Sequence, residues 1–197
     1  MKAHARPVYL WQQPGWPLLQ VDAAALSGVL QQARKRQGEA LALAQDLGTP
    51  TRLYSLSDQL LASRSDYYEA LNQAQKGTPD VTAWVRWFAD ALAQAGVRTT
   101  RIMLSALQKQ RFWAAHAATP LNERQRKVVK KLLDAGDGGF LGGLSAEKYV
   151  KITGASKATA TRDLAALLQH GLLRVQGSGK ASRYQVNVQE WGHAGAD

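Results

Sequence analysis

The 197-residue chain contains no cysteine, and no apolar run reaches the roughly 18 residues of a membrane-spanning helix. The missing cysteines exclude disulfide bonds and cysteine-ligated zinc, and they argue against a secreted mini-scaffold. The first 17 residues also lack the apolar region of a secretory signal peptide. We therefore expect a cytoplasmic protein.

Residues for enzyme chemistry are also scarce. The histidines show no metal-ligand spacing, and none lies beside a serine or carboxylate in a way that suggests a catalytic triad. The stretch GSGKAS at residues 177–182 is not a phosphate-binding loop, because alanine follows Lys180 and the first glycine of that motif is missing. We expect no cofactor and no metal.

Acidic residues are few. The chain has 25 Lys and Arg against 15 Asp and Glu, a formal net charge of +10. Residues 98–197 alone carry a net charge of +9. Such a balance suggests a polyanionic partner, and its distribution places the expected contact in the second half of the chain.

Apolar residues at helical spacing predict a mainly α-helical fold for the first 120 residues. Four helices are expected here, over residues 22–47, 55–76, 81–95 and 99–117. Asp22 caps the first helix, a break follows at residues 48–51, Gly77 ends the second helix and Gly96 ends the third. Before the first helix, the aromatic–proline cluster at residues 7–17 argues against a helix.

The last third has the element order of a winged helix-turn-helix: helix, short helix, tight turn, helix and β-hairpin. The expected helices cover residues 123–135, 146–153 and 157–170, and the strands cover 172–175 and 182–188. Gly154 opens the corner between the last two helices, Ser156 caps the final helix, and Gly171 ends it. An inward stripe is expected at Ala160, Leu164, Leu167 and Leu168.

The final helix is expected to enter the major groove of DNA with its N-terminal part, where lysine and threonine reach base edges and Arg162 pairs with phosphate. The hairpin is expected to act as a wing that contacts the DNA backbone. The candidate DNA-binding residues are Ser156, Lys157, Thr159, Thr161, Arg162, Arg174, Lys180 and Arg183. The alternative is a domain that docks proteins and whose basic surface is only solvated.

Two resemblances follow from these motifs. The stretch SKATATRDLAALLQHGLL resembles helix-turn-helix regulators with the pattern S-x-x-T-x-x-R-D-L-x-x-L-x-x-x-G-L-L. Residues 7–190 resemble a bacterial subfamily of Fic proteins that opens with a W-Q-x-P-x-W-P signature, here WQQPGWP. That resemblance implies a partial N-terminal Fic-associated domain at 1–48, post-catalytic Fic helices at 49–118, a winged helix-turn-helix domain at 119–191 and a disordered tail at 192–197.

The resemblance does not bring an active site. Fic proteins share H-P-F-x-[DE]-G-N-G-R, in which the histidine acts as base, and the family transfers AMP from ATP to a protein hydroxyl. No histidine here precedes proline, and GNG does not occur. We therefore expect a non-enzymatic protein that binds DNA, as a transcriptional regulator. Two alternatives stay open: an interaction module that partners an intact Fic protein, and a remnant of an adenylyltransferase with its active site deleted.

The resemblance implies that the chain lacks the catalytic helices around which helices 55–76, 81–95 and 99–117 would pack, so the aromatic residues of these helices need burial elsewhere. They are Tyr67, Trp84, Trp87, Phe88, Phe112 and Trp113. A large apolar area left in water favours association. We expect either collapse of this face against residues 22–47 or a homodimer through the aromatic face of residues 67–113.

Overall fold

The computed structural model describes residues 8–14, 16–48, 56–76, 78–136, 139–177 and 179–188. This part of the chain is mainly helical, as predicted, with a small antiparallel hairpin. The helices are α1 (Ala23–Asp46), α2 (Leu56–Ala62), α3 (Arg64–Gln75), α4 (Thr82–Ala115), α5 (Glu123–Asp134), α6 (Ala146–Thr153) and α7 (Lys157–Gln169). Strands β1 (Leu173–Gln176) and β2 (Arg183–Val186) form the hairpin. The chain divides into two compact units, Met1–Met103 and Leu104–Asp197.

Some predicted features lie outside the described residues. They are Pro7 of the aromatic–proline cluster, the break at residues 49–51, the start of the second helix at residue 55, its terminator Gly77, and the tail at 192–197. The backbone of Lys180 is described, but its side chain also lies outside the described part.

In the first unit, the segment before α1 is hydrogen-bonded to the segment before α4. The Gln20 amide donates to the Pro79 carbonyl at 2.9 Å, and the Val81 amide donates to the Gln20 carbonyl at 2.9 Å. Asp22 caps α1, as predicted, by accepting from the amide of the third residue of the helix at 3.0 Å. The Asp22 amide donates to the Thr82 hydroxyl at 2.8 Å, so the first residue of α4 is tied to the cap of α1.

The predicted helix break at Gly96 is wrong, because α4 continues without interruption over Thr82–Ala115. Gly96 lies where α1 comes close. A Cβ at residue 96 would lie 2.9 Å from the Arg36 carbonyl oxygen, a backbone atom that cannot swing aside. Ala33 of α1 is buried with Ala89 and Ala93 of α4 in the same unit. Small residues on both helices therefore allow the two backbones to approach.

The predicted second helix is divided at Ser63 into α2 and α3. The Ser63 hydroxyl donates to the Gln59 carbonyl at 2.9 Å, and the Ser63 backbone leaves the helical conformation at φ −110° and ψ 35°. Serine side chains compete in this way for backbone hydrogen-bonding groups, which favours a bend. Apolar spacing did not indicate the interruption, because both halves keep helical periodicity.

Aromatic side chains of α3 and α4 contact one another in the first unit. Tyr67 lies edge-on to Trp84 with 5.8 Å between ring centroids, and Trp84 stacks on Trp87 at 5.6 Å. These rings and Phe88 are half-buried. The first unit thus covers part of the aromatic face by itself, and a homodimer through that face stays a prediction.

The second unit contains the larger apolar core. The inward face of α5 is at most 2% exposed, at the predicted residues Val128, Val129, Leu132 and Leu133. Phe112 from the end of α4 and Tyr149 from α6 pack with them, together with inward residues of α7 and the hairpin. This core positions the surface described next.

Candidate nucleic-acid interface

The corner between α6 and α7 consists of residues whose local preferences suit it. Ser145 caps α6 by accepting from the Lys148 amide at 3.2 Å, and Ser156 caps α7 by accepting from the Thr159 amide at 3.2 Å. Gly154 follows α6 at φ 72°, a left-handed conformation that favours glycine. A Cβ there would meet no atom within 4 Å, so conformation and not crowding selects glycine. The predicted corner and cap are confirmed.

Helix α7 buries one face and exposes the other. The inward residues Ala160, Leu164 and Leu167 are at most 1% exposed, and Leu168 is half-buried against the same core. The exposed side chains of the first two turns are Lys157, Ala158, Thr161 and Arg162. Residues four positions apart are neighbours on a helix surface. The predicted contact residues Lys157, Thr161 and Arg162 therefore share one exposed face.

The hydroxyl groups of this helix are partly engaged. Thr161 Oγ1 donates to the Lys157 carbonyl at 3.0 Å. Thr159 is half-buried, and its Oγ1 lies 3.0 Å from Ser156 Oγ. Thr159 therefore belongs to the cap of α7 and is less exposed than Lys157, Thr161 and Arg162, and its DNA contact stays a prediction. Thr161 keeps its oxygen lone pairs and its methyl group available to an outside partner.

The hairpin places its two described arginines on one face. Arg174 pairs opposite residue 185 and Arg183 pairs opposite residue 176, while Leu173 and Val186 occupy the opposite face and are 3% and 6% exposed. Arg174 is exposed. The predicted strand pair is therefore present, with its cations directed away from the core.

Arg183 is less accessible than its position in the sequence suggested. It is half-buried, and its guanidinium donates to the Ser182 carbonyl at 3.0 Å. Its aliphatic stem crosses Gly143, where a Cβ would lie 2.8 Å from the Arg183 Cβ. Gly143 has φ 68°, so both conformation and space restrict this position.

The loop between α5 and α6 adds a third backbone segment beside β2, which sequence reasoning missed. The Leu144 amide donates to the Tyr184 carbonyl at 3.2 Å, and the Tyr184 amide donates to the Leu144 carbonyl at 2.8 Å. The Lys148 ammonium donates to the carbonyls of Leu141 and Gly143 and holds the loop in place. A pairing of one residue leaves no periodic pattern in the sequence, which is why sequence reasoning missed this segment.

A groove of about 310 Å³ lies between the starts of α6 and α7 and strand β2. Its polar lining consists of Ser145, Glu147, Lys157, Ser182, Arg183 and Tyr184. Two predicted contact residues, Lys157 and Arg183, thus come together from different elements. Two cationic side chains and one carboxylate line this groove. Arg162 and Arg174 do not line it.

Asp163 is a central residue of the unit that sequence reasoning missed. It is 7% exposed, and its carboxylate accepts from the Tyr149 hydroxyl at 2.8 Å, Arg124 Nε at 3.0 Å and Asn122 Nδ2 at 3.1 Å. Asn122 also caps α5. The network therefore ties the start of α5, the middle of α6 and the middle of α7 together. A carboxylate within the inward stripe of α7 was the available signal, because unpaired acids are rarely buried.

Electrostatics keeps this network in one protonation state. Burial alone would raise the pKa of Asp163, but hydrogen bonds from Arg124, Tyr149 and Asn122 outweigh it and lower that pKa. Burial, together with the Asp163 hydrogen bond, raises the pKa of Tyr149, so the phenol stays a donor. The hydrogen bond to Asp163 likewise raises the pKa of Arg124. The carboxylate is thus charged while its donors are protonated.

Among the described residues, no group of three or more His, Cys, Asp or Glu side chains could hold a metal ion. No helix in the described ranges is long and apolar enough to cross a membrane. A separate cleft of about 670 Å³ in the second unit is lined by Arg111, His116 and Asn187 among others.

Residues 9–73 match a family described as "Domain of unknown function (DUF4172)". The match covers about a third of the chain, from the first aromatic residues through α1 and α2 and most of α3. It lies in the first unit and runs through residue 48, where the sequence analysis placed a domain boundary. None of the curated proteins matches the chain.

Proposed function

We propose that residues 119–191 form a winged helix-turn-helix domain that binds duplex DNA, with α7 as the recognition helix and the β1–β2 hairpin as the wing. The exposed face of α7 carries this proposal, because Lys157, Thr161 and Arg162 project from the start of a helix that follows a glycine corner. The pairing of Leu144 with Tyr184 supports it further, since it places a strand-like segment between α5 and α6.

Each predicted contact takes a role that its surroundings suit. Lys157 and Thr161 reach base edges, where lysine donates to guanine and threonine contacts amino or methyl groups. Arg162 and Arg174 bind phosphates and carry no sequence information directly. Arg183 contacts the DNA backbone from the wing. The Asp163 network sets the angle at which α7 presents these groups.

We further propose that the chain is a non-catalytic derivative of the Fic family and acts as a transcriptional regulator. The domain match at residues 9–73 overlaps the WQQPGWP signature and the helices on which the resemblance rests. The chain lacks the H-P-F-x-[DE]-G-N-G-R motif, so it offers no residues for AMP transfer. An intact relative aligned across residues 44–73 would locate any segment that this chain has lost.

Fluorescence-anisotropy titration of genomic duplex fragments tests DNA binding. Affinity should fall steeply with salt, and Lys157→Ala with Arg162→Ala should weaken binding and reduce the salt slope by about 1 for each lost phosphate contact. Arg34→Ala with Arg98→Ala is the matched control, because it removes two exposed cations from the first unit. Absent or salt-insensitive binding, or an equal loss in the control, would refute the proposal.

A second candidate function is protein binding by the segment before α1. Trp11, Trp16 and Leu18 in this segment are 54%, 51% and 76% exposed. Neighbouring exposed apolar residues mark interaction sites in many proteins. The proposed partner is an intact Fic protein or a second copy of this chain. Sedimentation and co-purification should show a complex that Trp11→Ser with Leu18→Ser abolishes, whereas a monomer that captures neither partner would contradict this function.

A further inference from the structure

One face of α5 is strongly basic and is not used by the interface proposed above. This α5 basic face consists of Arg126, Lys127, Lys130 and Lys131, all of them exposed. The opposite side of the helix is buried in the core of the second unit. The four cations fall within six consecutive residues, about 8 Å of helix axis at 1.5 Å per residue.

Within the described part of the chain, none of the four side chains of the α5 basic face forms an ion pair. The two ion pairs that α5 forms there use other side chains, joining Arg124 to Asp163 and Asp134 to Lys109. Like charges four residues apart, as at 126 and 130 or 127 and 131, destabilise an isolated helix. Two of the cations also lie in the first half of α5, nearer the positive end of the helix dipole. These four cations are therefore available to an anion from outside the unit, while the exposed Glu123 and Asp134 lie at the two ends of the same helix.

The face is also partly preorganised. The Arg126 guanidinium lies over the Trp113 ring, 5.9 Å from its centroid. Trp113 packs against the core of the same unit, so this arginine starts from a restrained position. A restrained cation loses less conformational freedom when it binds an anion.

We propose that the α5 basic face is a second, sequence-independent contact for DNA phosphates. Protein interfaces have an apolar centre, whereas the apolar side chains of α5 are all buried and the exposed row is purely cationic. Duplex DNA carries about one negative charge per 1.7 Å of axis, so a row of this length meets several phosphates. Only the identity of the partner, DNA, rests on the proposed function. Both α5 and α7 bury their inner faces in one core, so their outer faces can be tested separately.

The test uses the full chain and a random-sequence DNA duplex, titrated at salt concentrations between 50 and 200 mM. The variant is Lys127→Gln with Lys130→Gln and Lys131→Gln. Each lost contact should reduce the slope of log affinity against log salt concentration by about 0.9. Between 50 and 200 mM salt, one contact therefore changes the salt-induced loss of affinity by about 3.5-fold, and three contacts change it by ~40-fold. The control, Arg34→Gln with Lys35→Gln and Arg98→Gln, removes the same charge from exposed positions and should keep the wild-type slope.

The outcomes separate this inference from the proposed function. An unchanged slope in the α5 variant, while Lys157→Ala with Arg162→Ala loses binding, overturns the inference and leaves the proposed function standing. A reduced slope in the α5 variant, with unchanged binding by Lys157→Ala with Arg162→Ala, supports the inference and refutes the role of α7. Unchanged DNA binding with loss of binding to polyglutamate would assign the face to acidic proteins and overturn the inference. A triple Lys→Arg variant keeps the charge, so loss of its slope would also contradict phosphate binding.

Discussion

Replacing Asp163 with alanine should strongly lower the free energy of unfolding of the second unit. Its carboxylate is 7% exposed and accepts hydrogen bonds from Tyr149, Arg124 and Asn122. The substitution removes all three bonds at once. It therefore measures how far this polar network, and not only the apolar core, holds α7 in place.

The magnitude follows from the surroundings of each partner. The side chain of Tyr149 is fully buried, and leaving its hydroxyl unsatisfied costs about 1–3 kcal/mol. The Asn122 bond contributes about 1 kcal/mol, and Asn122 keeps its bond to the Gln125 amide. The Arg124 side chain is 43% exposed, so its ion pair contributes less than about 1 kcal/mol. Because such neighbouring effects do not simply add, we expect a total loss of about 3 kcal/mol.

Urea unfolding followed by circular dichroism measures this loss, with two variants for comparison. Tyr149→Phe removes one donor and should cost about 1–2 kcal/mol. Arg124→Gln removes the exposed partner and should cost about 0.5 kcal/mol. The reasoning fails if Arg124→Gln costs as much as Asp163→Ala, or if Asp163→Ala changes the midpoint no more than an ordinary surface substitution does.

The same network predicts a dependence on pH. Hydrogen bonding lowers the pKa of Asp163 in the folded state below its usual value of 3.8. A lowered pKa contributes stability that is fully present above the unfolded value and is lost as pH falls through the folded value. The difference in unfolding free energy between wild type and Asp163→Ala should therefore stay constant from neutral pH towards 3.8 and shrink below it. A difference that grows on acidification would contradict this account.

Two further predictions concern glycines in different environments. Gly96→Ala forces a Cβ against the Arg36 carbonyl and should lower the unfolding free energy by about 1–3 kcal/mol. Gly38→Ala places its Cβ where no atom lies within 4 Å and should raise the unfolding free energy by about 0.5–1 kcal/mol. Thermal unfolding of both variants measures the difference. Equal effects at the two sites would remove the argument for close helix approach. Gly154→Ala should cost about 1–2 kcal/mol in urea unfolding because of its φ of 72°, and Gly154→Asn should cost less; an alanine variant as stable as wild type would show that the corner does not need this conformation.

Local preferences explain why most elements of the second unit were predictable. The caps at Asn122, Ser145 and Ser156 depend on hydrogen bonds to amides three residues ahead. Gly154 and Gly171 both adopt positive φ where a helix ends, as predicted. The inward and outward faces of α5 and α7 follow from helical periodicity. The DNA-contact roles assigned to Lys157, Thr161 and Arg162 stay predictions, although the structure exposes all three.

The first unit was less predictable, because apolar spacing and glycine content did not indicate where its helices are interrupted. Gly96 has the local character of a helix terminator, yet it lies within α4, at the place where the α1 backbone passes beside it. Ser63 interrupts a segment whose apolar spacing is continuous. Apolar spacing and glycine content are compatible with a straight or a broken helix at both places, and at Ser63 the interruption comes with a local hydrogen bond to the Gln59 carbonyl.

The sequence by itself determined the ends of those helices that begin at a capping residue or end at a left-handed glycine. It also determined which side of each helix is apolar and that cations dominate the second half of the chain. Only the tertiary structure decided that Asp163 joins three helices, that Lys157 and Arg183 line one groove, and that the α5 basic face forms no ion pair within the described residues. The reason is physical: backbone preferences act over a few residues, whereas burial, close approach and charge pairing depend on which distant segments the fold brings together.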